Sequence, residues 1–197
     1  IKSAAVAATI GSEEEREAIS QLEKEGEIDK MAPGTNFARP DAEKKMIKEV
    51  INDIIKEQIA KSVLLDLPEW FGREESRKRY IENVKKYPFI ALYVDEEPIG
   101  FYSLREENEH TLDMYVLGIK KEYHRKRYGS ILQQYVFEWA KKNGYKRVMV
   151  LTLSKSHPDI HYANTRQFYH DQGFVDLYET NKIWGEEYPT QILIKTL

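Results

Sequence analysis

The 197-residue chain contains no cysteine. Disulfides, thiolate metal sites and cysteine nucleophiles are therefore excluded, and an intracellular, cytoplasmic protein is the simplest reading. No apolar run approaches the roughly 20 residues that cross a bilayer, so no membrane partner is expected. A surplus of basic charge is missing too. The formal net charge is -3 with 32% of residues charged, which argues against nucleic acid and requires partners to be argued locally. No internal repeat or low-complexity tract is evident. The length suits one domain, or one domain with an appendage, and allows a sizeable core. The first residue is not methionine, and Ala4 to Ile10 is a small-residue apolar run. Residues 1–11 are read as introduced or processed residues in preference to a signal-peptide remnant, and they are set aside from the fold.

What is present is concentrated between Thr111 and Gly144. Thr111 to Ile119 is rich in β-branched and aromatic residues, which predicts a strand. From Gly129 onward the period changes: Ile131, Leu132, Tyr135, Val136, Trp139 and Ala140 fall three and four apart, one stripe of a helix that Gly144 closes. The connection carries Lys120, Lys121, Arg125, Lys126 and Arg127 just before a glycine. A basic turn feeding a helix presents backbone N–H groups and a positive dipole end to an anion. The same residues also suit an ordinary solvated surface.

His124 to Gly129, H-R-K-R-Y-G, resembles the pyrophosphate-binding turn of the GCN5-related N-acetyltransferases, which runs Gln or Arg, any two, Gly, any, then Gly or Ala. His124 and Arg127 depart from that pattern. Thr165 to Phe174, T-R-Q-F-Y-H-D-Q-G-F, resembles the later motif of the same family, a helix carrying Phe-Tyr followed by Gly-Phe and two final strands. Family members often have an asparagine six residues before that phenylalanine, where this chain has Tyr162. The resemblance spans roughly residues 46–197. It implies a mixed, mostly antiparallel α/β sheet flanked by helices and splayed between the fourth and fifth strands. Acetyl-CoA is implied as co-substrate, held by Leu117, Gly118 and Ile119 along the pantetheine arm and by His124, Arg125, Lys126, Arg127, Tyr128, Gly129 and Ser130 at the diphosphate.

Along the rest of the chain, Ser12 and Glu15 have capping-box spacing and predict a helix from about Glu13 to Glu25. Lys30 to Pro40 reads as a loop. Residues 1–44 are taken as an N-terminal helical extension that docks on the domain or on another subunit, leaving a homodimer open, and residues 45–197 as the acetyltransferase domain. By local pattern Lys45 to Lys61 also suits one long amphipathic helix from Asp41; the resemblance implies instead a strand over Met46 to Ile51, with Asn52 or Asp53 capping a helix to about Leu65. Asp66 to Gly72 breaks the pattern at Pro68. Helix is expected again over Glu74–Lys86, strands at Phe89–Val94 and Ile99–Leu104, and a turn over Glu106–His110. Arg147–Leu153 reads as a strand buried on both faces. A helix over Tyr162–Gln172 and strands at Phe174–Thr180 and Gln191–Thr196 complete the order.

Acetyl transfer to an amine requires a base, because an alkylamine near pKa 10.4 is only about one part in a few thousand neutral at pH 7. By position the resemblance makes Asp113 the base and Tyr169 the acid that protonates the departing thiolate; Asp113 equally suits an ion pair with a lysine or arginine on a neighbouring strand, and Tyr169 an ordinary amphipathic position. Glu69, His110, Glu109 and His157 are reserve bases. Glu69, Trp70 and Phe71 are candidates for holding the amine, although such rings more often plug a core. His157, His161 and His170 lack metal-site spacing, and no metal is expected. The preferred activity is direct N-acetylation of a small-molecule or peptide amine. A non-catalytic coenzyme-binding module is the alternative, and an enzyme acting on charged tRNA is a third reading.

Overall fold

The computed structural model describes residues 43–197. The expected helix at Glu13–Glu25 and loop at Lys30–Pro40 lie outside the described residues. By internal contacts the chain divides into residues 1–46 with 92–98, and residues 47–91 with 99–197. Within the described part of the first unit, Lys44 N–H donates to Asp95 Oδ1 and Asp95 N–H to Lys44 O.

The described elements alternate strand and helix. They are β1 (Lys45–Glu49), α1 (Asp53–Leu65), α2 (Pro68–Phe71), α3 (Glu74–Asn83), β2 (Phe89–Val94), β3 (Glu97–Asn108), β4 (Thr111–Ile119), α4 (Tyr128–Lys142), β5 (Arg147–Leu153), α5 (Ile160–Asp171), β6 (Val175–Thr180) and β7 (Thr190–Thr196). The strands form one sheet in the order β1-β2-β3-β4-β5-β7-β6. The β3–β4, β5–β7 and β6–β7 pairs are antiparallel and β4–β5 is parallel, the mixed, mostly antiparallel α/β sheet that was expected.

Local chemistry explains most element ends. Asn52 Oδ1 accepts the Ile55 N–H and opens α1, a side-chain cap on an otherwise unpaired amide. Gly144 takes φ +88°, and Tyr145 N–H reaches back to Ala140 O, closing α4 as a Schellman turn. Other boundaries depart from expectation. The first strand is Lys45–Glu49, shorter than Met46–Ile51 at its far end. The segment after Leu65 is not open loop, because Pro68 at a helix start builds the four-residue α2. The Glu74–Lys86 helix ends at Asn83 and finishes as a 3-10 turn. β3 continues through Glu106 to Asn108, where a turn was expected, because pairing down to Asn108↔Thr111 holds it extended. Asp159 starts α5 two residues early, its Oδ1 accepting the His161 and Tyr162 amides.

β5 matches Arg147–Leu153, yet it alternates buried and half-buried positions and is not covered on both faces. Its partnership with β4 is short: Thr111↔Arg147, Leu112↔Val148 and Asp113↔Met149 pair. Beyond Asp113 the two strands diverge. On the other side of β4 the register slips between Arg105↔Asp113 and Ser103↔Val116, so three steps on β4 match two on β3. That extra residue is a β-bulge, which bends and twists its strand locally. A bend in β4 at the last residue paired with β5 opens the sheet into a fork.

The core holds the fork's stem rigid. Phe89 and Phe101 stack 4.8 Å apart, and each such buried ring contributes about 1.5–3 kcal/mol relative to exposure. Gln133 of α4, fully buried, accepts from Tyr102 OH (2.9 Å) and donates to Met114 Sδ (3.3 Å). This ties α4 to β3 and β4. A Cβ at Gly118 would lie 2.8 Å from Leu67 Cδ1 and 3.1 Å from Val63 Cγ1, so a glycine lets α1 approach the upper β4.

Candidate active site at the fork of the sheet

Asp113 sits at the foot of the fork, 3% exposed. Its Oδ2 accepts from Arg105 Nη2 at 2.8 Å, a contact set by the Arg105↔Asp113 register. Burial pushes its carboxyl from the usual 3.8 up to about 6, against the pull of Arg105 and with help from Glu107. A carboxylate that titrates there is ionised at neutral pH while retaining basicity. Arg105 also lies over the Tyr115 ring at 4.8 Å. Tyr115 meets Tyr80 and Tyr87 edge-on and accepts from Asn83 Nδ2.

Tyr169 lies on α5, 4% exposed, against Phe168 and Phe174. Burial holds its hydroxyl protonated, with the charges of Tyr162 and Asp113 pushing the same way. The two residues picked from separate motifs are thus electrostatic neighbours across the fork. The reserve bases lie elsewhere: Glu109 and His110 pair in the β3–β4 turn at the other end of β4, and His157 stacks on Tyr188.

Leu117, Gly118 and Ile119 pair with Tyr102, Phe101 and Gly100 on β3. Lys120 N–H donates to Ile99 O, so by the alternation of an antiparallel ladder the amides and carbonyls of Leu117 and Ile119 point to the edge facing away from β3. Those groups are available to a strand-like ligand, except that the Ile119 carbonyl already accepts from His124 Nε2 at 2.5 Å.

The basic turn has two residues in the left-handed region, Arg125 (φ +60°) and Arg127 (φ +65°). Arg127 is the N-terminal flank of α4, and no side chain caps that helix. The first amides of a helix have no internal acceptor, so those of Gly129 and Ser130 open toward the head of the fork. Arg125, Lys126 and Arg127 are exposed around them. Uncapped amides ringed by guanidinium and ammonium groups fit a diphosphate. The left-handed φ at Arg127 gives the physical reason for a glycine at that position of the pattern.

Glu69, Trp70 and Phe71 are half-buried or exposed on α2. Glu69 pairs with Lys121 Nζ at 2.6 Å, which holds its carboxyl below the usual value. Trp70 donates from Nε1 to Thr165 Oγ1 at 3.0 Å, and Phe71 meets Tyr80 edge-on. Beyond β5, residues 156–158, 179–181, 186, 187 and 189 line a cleft of about 600 Å³ carrying Glu179, Glu186 and Glu187. Sequence reading did not single out Glu179, and only the fold brings it to Ser154 and Ser156, which donate to its carboxylate. Among the described residues no group of three His, Asp or Glu is arranged to hold a metal, and no helix is long and apolar enough to cross a membrane.

A sheet forked at a bulge, with an uncapped basic turn above the fork, defines the class to which the chain belongs. The profile described as Acetyltransferase (GNAT) family matches residues 56–174, more than half of the chain, and the chain is a member of that family. Solved structures agree in fold. Ard1 from Thermoplasma volcanium superposes with a TM-score of 0.63 at 12% identity, covering 78% of this chain and 97% of its own. The aminoglycoside 6'-N-acetyltransferase from Enterococcus faecium gives 0.58 at 18%, covering 77% and 96%. A GNAT family acetyltransferase from Elizabethkingia anophelis with acetyl-CoA bound gives 0.58 at 16%, covering 80% and 99%. At these identities the likeness shows the fold alone. A search of curated proteins found no match.

Proposed function

We propose that the protein is an N-acetyltransferase that moves acetyl from acetyl-CoA directly to an amine. The observation that carries this reading is Asp113, a buried carboxylate raised to about 6 at the foot of the fork. Acetyl-CoA supplies the acyl group as a thioester. Amides at Gly129 and Ser130 hold the diphosphate with Arg125, Lys126 and Arg127, while the free edge of Leu117 and Ile119 aligns the pantetheine arm. Asp113 takes the proton of the ammonium, directly or through water, and the freed nitrogen forms the N–C bond as the C–S bond breaks. Tyr169 gives its proton to the leaving sulfur and is made good by the second proton that the nitrogen sheds as it becomes the amide, so the net proton released stays on Asp113. The carboxylates of Glu179, Glu186 and Glu187 favour a cationic acceptor. Arg73 lies over Tyr188, itself stacked on His157, and so links the residue after Gly72 to that cleft. Catalysis is assigned to residues 45–197, and the compartment is the cytoplasm.

The test is release of free coenzyme A thiol with a panel of mono- and polyamines and lysine peptides. Turnover that depends on an amine and is lost in Asp113→Asn supports the proposal. Coenzyme binding without turnover across the panel overturns it in favour of a binding module.

A further inference from the structure

Besides Arg127, two positions depart from the family pattern in the sequence, His124 in the turn and Tyr162 on α5. In the structure both touch one residue, Trp70. The Tyr162 hydroxyl donates to Trp70 O at 2.8 Å, and the His124 ring meets the indole edge-on at 5.7 Å. The indole N–H is held by Thr165 at 3.0 Å, and His161 meets the ring at 5.0 Å. His124 in turn donates to Ile119 O. A continuous chain of contacts therefore runs from the open edge of β4 through His124 and Trp70 to the first two turns of α5. It joins the two arms of the fork.

The attachment of α2 is unequal on the two sides. Toward the β4 arm, Lys121 N–H donates to Asp66 Oδ2 at 2.7 Å and Lys121 Nζ to Glu69 at 2.6 Å, a stem anchored at both ends of the Asp66–Glu69 turn. Toward α5, the attachment is Trp70 itself. A thioester lying along Leu117 and Ile119 with its diphosphate at Gly129 runs through the space that His124 and Trp70 close. The His124 ring on the Ile119 carbonyl occupies the same edge along which the pantetheine arm would lie.

We propose that Trp70 is a gating residue for the coenzyme: it latches α2 onto α5 across the fork, and the coenzyme binds only after the latch lets go. This rests on the coenzyme reading above and adds a step to it. The departures at His124 and Tyr162 are then partners of the tryptophan, and they are not signs of a degenerate coenzyme site.

The experiment uses the full chain with Trp139→Phe and Trp184→Phe, leaving Trp70 as the sole indole, and follows coenzyme A binding by stopped-flow emission beside calorimetry. The expected result is an emission change whose rate falls to a limiting value as coenzyme concentration rises, as for a slow opening step that precedes binding. By calorimetry Trp70→Phe and Thr165→Val, which keep the packing and remove the indole bond, tighten coenzyme binding by up to about tenfold, because the open state no longer has to be reached against the latch. Calorimetric binding with silent Trp70 emission in the sole-indole protein and unchanged affinity in both variants overturns the gate and leaves the coenzyme reading standing. Absence of calorimetric binding to the parent protein overturns the coenzyme reading and the gate together.

Discussion

The two ends of β4 do different work with the same backbone. At Asp113 the strand is paired on both sides and the side chain is buried, so an ionisable group can be tuned by what surrounds it. At Leu117–Ile119 the strand is paired on one side only, and its spare amides and carbonyls face an open edge. The lower end offers a side chain of adjusted basicity. The upper end offers backbone and a ring of exposed cations. Low local dielectric makes the first sensitive to single groups, whereas solvent screening makes the second a sum of small terms. Substitutions at the foot of the fork should therefore change chemistry, and those at its head should change affinity by small steps.

The sharpest way to break that contrast is Asp113→Asn. Turnover should drop by about 10²–10⁴-fold with coenzyme affinity unchanged, read by thiol release and calorimetry. Loss of binding in parallel would mean the two ends are not separable. Tyr169→Phe should come next, lowering kcat by about 10²-fold or less, because the group acts only on the leaving sulfur.

The pH dependence distinguishes the ends further. With Asp113 raised to about 6, kcat/KM should fall as pH drops below about 6, where the base is protonated. Arg105 pulls that value down, so Arg105→Gln should move the acidic limb upward. Because the folded value lies above the unfolded one, Asp113 contributes stability that is complete below about 4. That contribution is lost as pH rises through about 6, and thermal melts between those values will show it.

The smallest effect belongs to the head of the fork. Arg127→Gly relieves a left-handed φ and should stabilise the fold by about 1 kcal/mol, raising Tm by about 2–4 °C. It should cost a few-fold in coenzyme affinity, by an amount that shrinks with added salt.

The elements around these two ends differ in how visible they were beforehand. Period alone located α4, from the stripe Leu132, Val136 and Ala140 to the Gly144 stop, and Asn52 announced α1. The order of strands and helices followed from those signals and the two motifs. The bulge in β4 did not, since Thr111 to Ile119 reads as one uninterrupted strand and the extra residue exists only relative to β3. Charge hid the end of β3: Arg105, Glu106 and Glu107 look like a turn, yet cross-strand pairing keeps them extended. Asp95 and Glu96 both take positive φ in the hairpin, a conformation usually marked by glycine or asparagine. The Asp159 cap had the right chemistry for a helix start but sat inside a segment read as loop.

Residue type and spacing pointed to the basic turn, and resemblance to the family named Asp113 and Tyr169 as candidates. Nothing local relates Trp70 to Thr165, 95 positions away, or shows that Arg105 would meet Asp113 across a ladder. Such pairings depend on the register of β3 against β4 and on where α5 packs over the splayed strands. Register and packing are properties of the whole chain folded at once: a one-residue slip would turn Asp113 away from Arg105 and close the fork. Residue identities supplied the chemical groups, and long-range strand pairing determined which of them could meet.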